Sequence, residues 1–269
     1  MYKEHYIFEK PNNENAKIWR YLDFAEFVSA LEKNALFFSV LSKFEDKFEG
    51  SITQVDLEER VSLYDYLKTV WPEYSNAHLR SKEQELRKRL RSLVCVSSWH
   101  KNECESAAMW KMHLQNNKGV ALQSTFKLLT ESFSDYKKND VYVGMIKYID
   151  YSKHKIPNDH FIQPIMHKRL SFECERELRA LISKIPIDNP LLQALNWRKY
   201  REGIYVPVDL EKLVQRVYVY PTSKKWFFEA VKSIAEKYLP NNDFSERVMK
   251  SDLTNKKTAF LGHFSFEVY

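Results

Sequence analysis

Only five glycines punctuate the 269 residues, and that scarcity limits the available folds. A doubly wound nucleotide-binding sheet turns each strand into a helix through glycine-rich loops. No G-x-G-x-x-G and no phosphate-loop pattern occurs in the sequence, so that class is disfavoured. With 44% apolar residues, the chain still has the means to build an ordinary globular core.

Periodicity supplies the elements. "IWRYLDFAEFVSALEKNALFFS" predicts strand, helix, strand. Asp23 with Glu26 three residues on makes a capping box, and Phe24, Phe27, Val28 and Leu31 make the apolar stripe. Residues 51–92 turn helical and strongly charged. Leu79, Leu86, Leu90 and Leu93 line one edge there, leaving a basic face between Arg80 and Arg91. "LVCVSSW", "GVALQS", "VYVGMIKYI", "GIYVPV" and "QRVYVYP" predict strands, "VYVGMIKYI" as a half-buried one. "ESAAMWKMHLQNNKG" predicts a helix with Trp110 as its core anchor and Gly119 as its C-cap. "SKKWFFEAVKSIAEKYLP" predicts another, with Phe227, Val231, Ile234 and Tyr238 on one face and Pro240 as its stop. "AFLGHFSFEVY" predicts a closing strand. The order fits one α+β domain over residues 1–269: a mixed or mostly antiparallel sheet, flanking helices and a helical insertion at 51–92.

A net charge of +6 suits a nucleic-acid or phosphate-bearing ligand. No apolar run reaches membrane-spanning length, and the N-terminal segment is too charged for a secretory leader. Three cysteines, Cys95, Cys104 and Cys174, suggest no disulfide framework. A cytoplasmic protein without membrane attachment is expected.

The densest chemistry lies in "SFECERELRAL", Ser171 to Leu181. On a strand, Glu173, Glu175, Glu177 and Arg179 share a face, and Arg179 is the cation between the carboxylates. On a helix, Glu175 and Arg179 form an ordinary surface pair instead, with Cys174, Leu178, Leu181 and Ile182 as the apolar edge. The alternation of Phe172, Cys174 and Leu178 favours the strand. "SKFEDKFEG" predicts a turn in which Asp46 and Glu49 satisfy backbone donors. Cys95, His100 and Cys104 could supply part of a zinc site, but no fourth ligand is evident.

Four stretches, "RYLDFAEFVSALEKNALFFSVLSKFEDKFEG", "SLVCVSSW", "AAMWKMHLQNNKGVALQS" and "KRLSFECERELRAL", together resemble the bacterial family of domain of unknown function 2971 over Trp19 to Leu239. The chain departs from that pattern at Lys47, where proline is usual, and at Ser97–Ser98, where Phe-Ser is common. Arg20, Ser97 with Ser98, and Glu175 with Glu177 also resemble, in order and type, the arginine–serine–glutamate class of ADP-ribosyltransferases.

This second resemblance implies an ADP-ribosyltransferase-like fold and NAD as substrate. Glu177 would stabilise the ribose as it becomes an oxocarbenium ion, and Glu175 would take a proton from the acceptor. Arg20 would grip a phosphate, with Ser97 or Ser98 orienting the nicotinamide ribose and Tyr21 and Ser39 completing the cofactor-binding set. Asp46 or Glu49 would orient Arg20 or the substrate. Such families often act as toxins or anti-phage effectors, which implies a nucleic-acid or protein acceptor and a protein partner such as an antitoxin. The alternative is a non-catalytic module of a defence system that holds nucleic acid or a partner on the basic helix at 80–91.

Overall fold

The computed structural model describes residues 1–70, 76–114, 117–187, 200–239 and 241–254. In chain order they form β1 (Lys17–Asp23), α1 (Phe24–Lys33), β2 (Ala35–Val40), α2 (Gln54–Val70), α3 (Asn76–Arg91), β3 (Val94–Lys101), α4 (Ala107–His113) and β4 (Gly119–Thr125). Then come α5 (Phe126–Glu131), β5 (Tyr142–Met145), β6 (Lys147–Ile149), β7 (His167–Arg169), β8 (Glu177–Ser183), β9 (Gly203–Pro207), α6 (Leu210–Leu213), β10 (Arg216–Val219), α7 (Lys225–Tyr238) and β11 (Val248–Lys250). The architecture is α+β, with a mostly antiparallel nine-stranded sheet and flanking helices. Its parallel pair is β10–β11, and β6–β7 make a separate parallel ribbon.

With glycine scarce, other residues take the left-handed turns. Asn34 ends α1 at φ 44°, and Asn117 (φ 52°) and Arg176 (φ 40°) do the same elsewhere. Asparagine tolerates this region better than most side chains; arginine is an unusual occupant. The α1 start follows its sequence: Asp23 Oδ1 accepts from Glu26 N–H at 2.7 Å, and Glu26 returns the bond to Asp23 N–H. Phe27, Ala30 and Leu31 are its deepest residues, so Ala30 joins the expected stripe.

β3 organises the sheet. β8 pairs with one edge of β3 from Val94 to His100. A strand has two edges, so β1 and β2 share the other. β1 holds it at Trp19–His100 and Ile18–Lys101, and β2 at Ser39–Val96 and Val40–Cys95. The sheet therefore splits opposite Ser97, Ser98 and Trp99. Directly paired residues point to the same face. Ile18, Leu22, Phe38, Val40, Trp99, Leu178 and Ala180 face the main core with α1, α5 and α7. The opposite face carries two smaller apolar clusters. One gathers Trp19, Tyr21, Met109, Trp110 and Leu114 under α4; the other gathers Leu41, Val96, Ile165, Met166 and Leu181. Between them that face carries polar residues, of which Ser98 is exposed and His100, Glu177 and Arg179 are buried.

Several expectations change. "SFECERELRAL" is neither one strand nor an α-helix: Leu170–Glu175 is a 3-10 turn, closed by Arg176 N–H on the Glu173 carbonyl at 3.1 Å, and the strand begins only at Glu177. Glu173 is consequently exposed and does not join the others. Gly119 is no helix cap. Leu114 ends α4, and Gly119 opens β4, where a β-carbon would meet the Leu22 carbonyl oxygen at 2.5 Å. "VYVGMIKYI" breaks at Ile146 between two sheets, and β5 is buried through Tyr142, Val143 and Gly144. α7 buries Phe227, Val231 and Ala235, with Ile234 and Tyr238 packed partly against them. Pro240 and the segment "AFLGHFSFEVY" lie outside the described residues.

Gly144 offers a check on this packing. A β-carbon there would sit 2.6 Å from the Phe8 α-carbon, and backbone cannot yield as a side chain tip does. Gly144→Ala should cost about 1–3 kcal/mol of stability, measured by thermal or urea unfolding.

Candidate active site

A cleft of about 1400 Å³ opens on the face where the sheet splits. Arg20 fills the wedge between β1 and β2. Its Nη1 donates to Ser97 Oγ and its Nη2 to the Phe37 carbonyl at 2.7 Å, and the guanidinium lies 5.9 Å from the Trp99 ring. Ser97 Oγ also accepts from Trp99 Nε1 at 3.2 Å. All these partners are neutral, and among the described residues Arg20 makes no ion pair. Burial accordingly pulls its pKa down to about 10. A half-buried cation with neutral partners has the charge to attract an anion.

The carboxylates gather on the β8 side. Glu177 is buried, and four donors converge on it: Ser98 Oγ at 2.6 Å, Arg179 Nε at 2.7 Å, Arg179 Nη2 at 2.9 Å and Lys168 Nζ at 2.8 Å. Arg179, fully buried, also reaches Glu49 at 2.7 Å and the Ile165 carbonyl at 2.6 Å. Lys168 Nζ continues to Glu175 Oε2 at 2.6 Å and Glu49 at 3.5 Å. Glu49, Glu175 and Glu177 against Lys168 and Arg179 leave one excess negative charge.

Burial by itself would raise the Glu177 carboxyl, but Arg179 and Lys168 overcome it and hold that group well below the usual carboxylate range. Glu175, partly exposed to the cleft, goes the other way: burial raises it, and Lys168 offsets only part of the rise. The two glutamates are thus shifted in opposite directions, Glu177 toward the charged form and Glu175 toward the protonated one.

Histidines line the same space. His100 donates from Nδ1 to the Glu175 carbonyl at 2.6 Å, since a carbonyl can only accept, and burial lowers the pKa of its ring. His113, also lowered by desolvation, has its ring parallel to Tyr21 at 6.1 Å. Tyr21 accepts from Ser106 N–H at 3.0 Å, and burial pushes its hydroxyl up to about 12.

The residues that the transferase resemblance implies for catalysis and cofactor binding, Arg20, Tyr21, Ser39, Ser97, Ser98, Glu175 and Glu177, line this one cleft. Glu175 arrives there on a 3-10 turn rather than a strand. Asp46 is the satisfied turn residue expected, accepting from Phe48 N–H at 2.9 Å and pairing with Arg169 at 3.1 Å. Glu49 instead enters the buried cluster, and the contacts of Arg20 include neither residue. Cys95 is in the core and Cys104 is exposed, while His100 bonds the Glu175 carbonyl through Nδ1. Lys168 carries no signal in the sequence: it stands on a three-residue strand of the separate ribbon, where no local pattern ties it to Glu177.

The basic helix α3 keeps part of its charge inward. Glu83 receives Arg60 and Arg87, the latter at 2.7 Å, and Arg91 turns to the Lys47 and Leu41 carbonyls. Arg80, Lys82 and Lys88 face solvent. Among the described residues no helix is long and apolar enough to cross a membrane. No family model, curated protein or solved structure matches the chain.

Proposed function

We propose that this protein is an ADP-ribosyltransferase-like enzyme, in fold and chemistry, that binds NAD in the cleft and transfers ADP-ribose to a nucleic acid or protein. One observation carries the reading: a single cleft holds a half-buried arginine with no ion pair among the described residues beside a cluster of three glutamates, one lysine and one arginine with one excess negative charge. NAD has matching ends, an anionic pyrophosphate and a ribose that turns cationic as nicotinamide leaves.

In this mechanism Arg20 grips a phosphate through its planar fork. The C–N bond to nicotinamide breaks, and the leaving group departs with the electron pair. The fixed charge of Glu177 and its neighbours stabilises the oxocarbenium ion. Four donors already occupy Glu177, so the ribose contact falls to Ser98, the exposed hydroxyl bonded to it. Glu175 takes the proton from the acceptor nucleophile as the new bond to ribose forms. A toxin or anti-phage role, and an antitoxin partner, follow from the resemblance.

The test is calorimetric NAD binding together with nicotinamide release, with nucleic acids and proteins supplied as acceptors. Wild-type protein should bind and turn over NAD, and Arg20→Ala should weaken binding about 10- to 100-fold. Neither binding nor release by wild type would end the reading. The second reading, a binding module using Arg80, Lys82 and Lys88 on α3, would then be favoured. Charge reversal of those three should in that case abolish a steeply salt-dependent association with nucleic acid.

A further inference from the structure

Glu175 and Glu177 share one ammonium, which comes from outside the main sheet. Lys168 lies on β7, with its side chain 9% exposed and its Nζ 5.7 Å from the Phe172 ring. It touches Glu175 at 2.6 Å and Glu177 at 2.8 Å. Their dependence on it differs. Glu177 also has Arg179, whereas Lys168 is the one cation paired with Glu175 among the described residues. Without Lys168, Glu177 keeps a bidentate partner, while Glu175 is left half-buried beside two other carboxylates.

We infer that Lys168 is the positioning residue of the site: it fixes the Glu175 carboxylate in the cleft and sets the pH above which that group accepts a proton. The catalytic consequence rests on the proposed NAD chemistry; the coupling of Lys168 to Glu175 does not.

The sign follows from the surroundings. The charged or titratable groups facing Glu175 are Lys168 from β7, Glu177 from β8, Glu49 from the loop before α2, Tyr148 from β6 and His100 from β3, the last through the Glu175 carbonyl. Of these, Glu177 and Glu49 favour a protonated Glu175, as burial does, and Lys168 opposes them. Its ammonium does not yield: burial works against it, but the carboxylates raise its pKa above the ordinary lysine value. Removing that charge moves the Glu175 titration to higher pH. A base that must be deprotonated then loses activity from the acid side.

The experiment is a titration of the Glu175 carboxyl by NMR on ¹³C-glutamate-labelled full-length protein, its resonance assigned by its absence in Glu175→Gln. Wild type, Lys168→Met and Lys168→Arg are compared, with unfolding curves confirming that each is folded. The midpoint should rise in Lys168→Met and return toward wild type in Lys168→Arg. Acceptor-dependent nicotinamide release should follow it, its acid limb moving to higher pH in Lys168→Met and back in Lys168→Arg. Should that variant fail to fold, Lys168→Gln keeps a donor without the charge and gives the same comparison. An unchanged midpoint in a folded, uncharged variant overturns the inference. A shifted midpoint with no NAD turnover in any protein would uphold the Lys168–Glu175 coupling and remove the NAD reading.

Discussion

Glu177→Gln should destabilise the protein by about 3 kcal/mol at neutral pH, because it uncouples a buried ion cluster rather than a surface pair. The amide keeps the shape but removes the charge that holds Arg179 and Lys168 in a site shielded from water. For a chain of this size the loss should lower the melting temperature by about 6–12 °C. The effect has a definite pH dependence. The folded-state pKa of Glu177 lies below the ordinary glutamate value of 4.5. Its contribution is therefore complete above that value and is lost as the pH falls toward the folded pKa. Calorimetric melts should show a gap between wild type and variant that is full at pH 7 and narrows below about pH 4. Glu175 responds as well, because Glu177 is one of the carboxylates that raise it, and its shift relaxes in the variant. Equal melting temperatures at pH 7, or a gap independent of pH, would refute the cluster's role. The stability cost also means that lost activity in Glu177→Gln is no clean sign of catalysis.

The sequence displayed the parts of this site more clearly than their arrangement. β1, α1 and β2 were legible because Asp23 and Glu26 mark the helix start and the flanking strands alternate. Arg20, the serines and the glutamates were legible as residue types in an order. What joins them is non-local. The split of the sheet depends on β3 offering one edge to two strands, and no property of "LVCVSSW" announces it. The turn before Glu177 was hidden for a specific reason: its left-handed residue is Arg176, where a glycine would have advertised a break. The alternation of Phe172, Cys174 and Leu178 then resembled a strand, although Cys174 is exposed. Gly119 misled in the opposite direction, since its small size serves a close approach to Leu22 rather than a helix end. Lys168 and Glu49 could be assigned to Glu177 only once the fold brought three distant segments together.

Glu175→Gln should remove most turnover while leaving the fold and NAD binding nearly intact. Glu175 differs from Glu177 in the two respects that matter for a base: it is half-buried where Glu177 is buried, and its pKa is raised. Glutamine preserves an acceptor for Lys168 and the His100 contact, which uses the backbone carbonyl. Stability should therefore fall by less than in Glu177→Gln. The loss of proton transfer should cost about 10²–10⁴-fold in kcat with an acceptor present, with KM for NAD changed little. The pH profile separates this from structural damage. Wild-type turnover should rise with pH through the Glu175 titration, since a raised pKa means that the base form appears only above it. Glu175→Gln should lack that limb altogether. Hydrolysis of NAD by water should suffer less than transfer, because the oxocarbenium ion still forms beside Glu177. If Glu175→Gln instead retains wild-type kcat and the same acid limb, proton abstraction belongs to another group, and His113, which lines the cleft, is the next residue to replace.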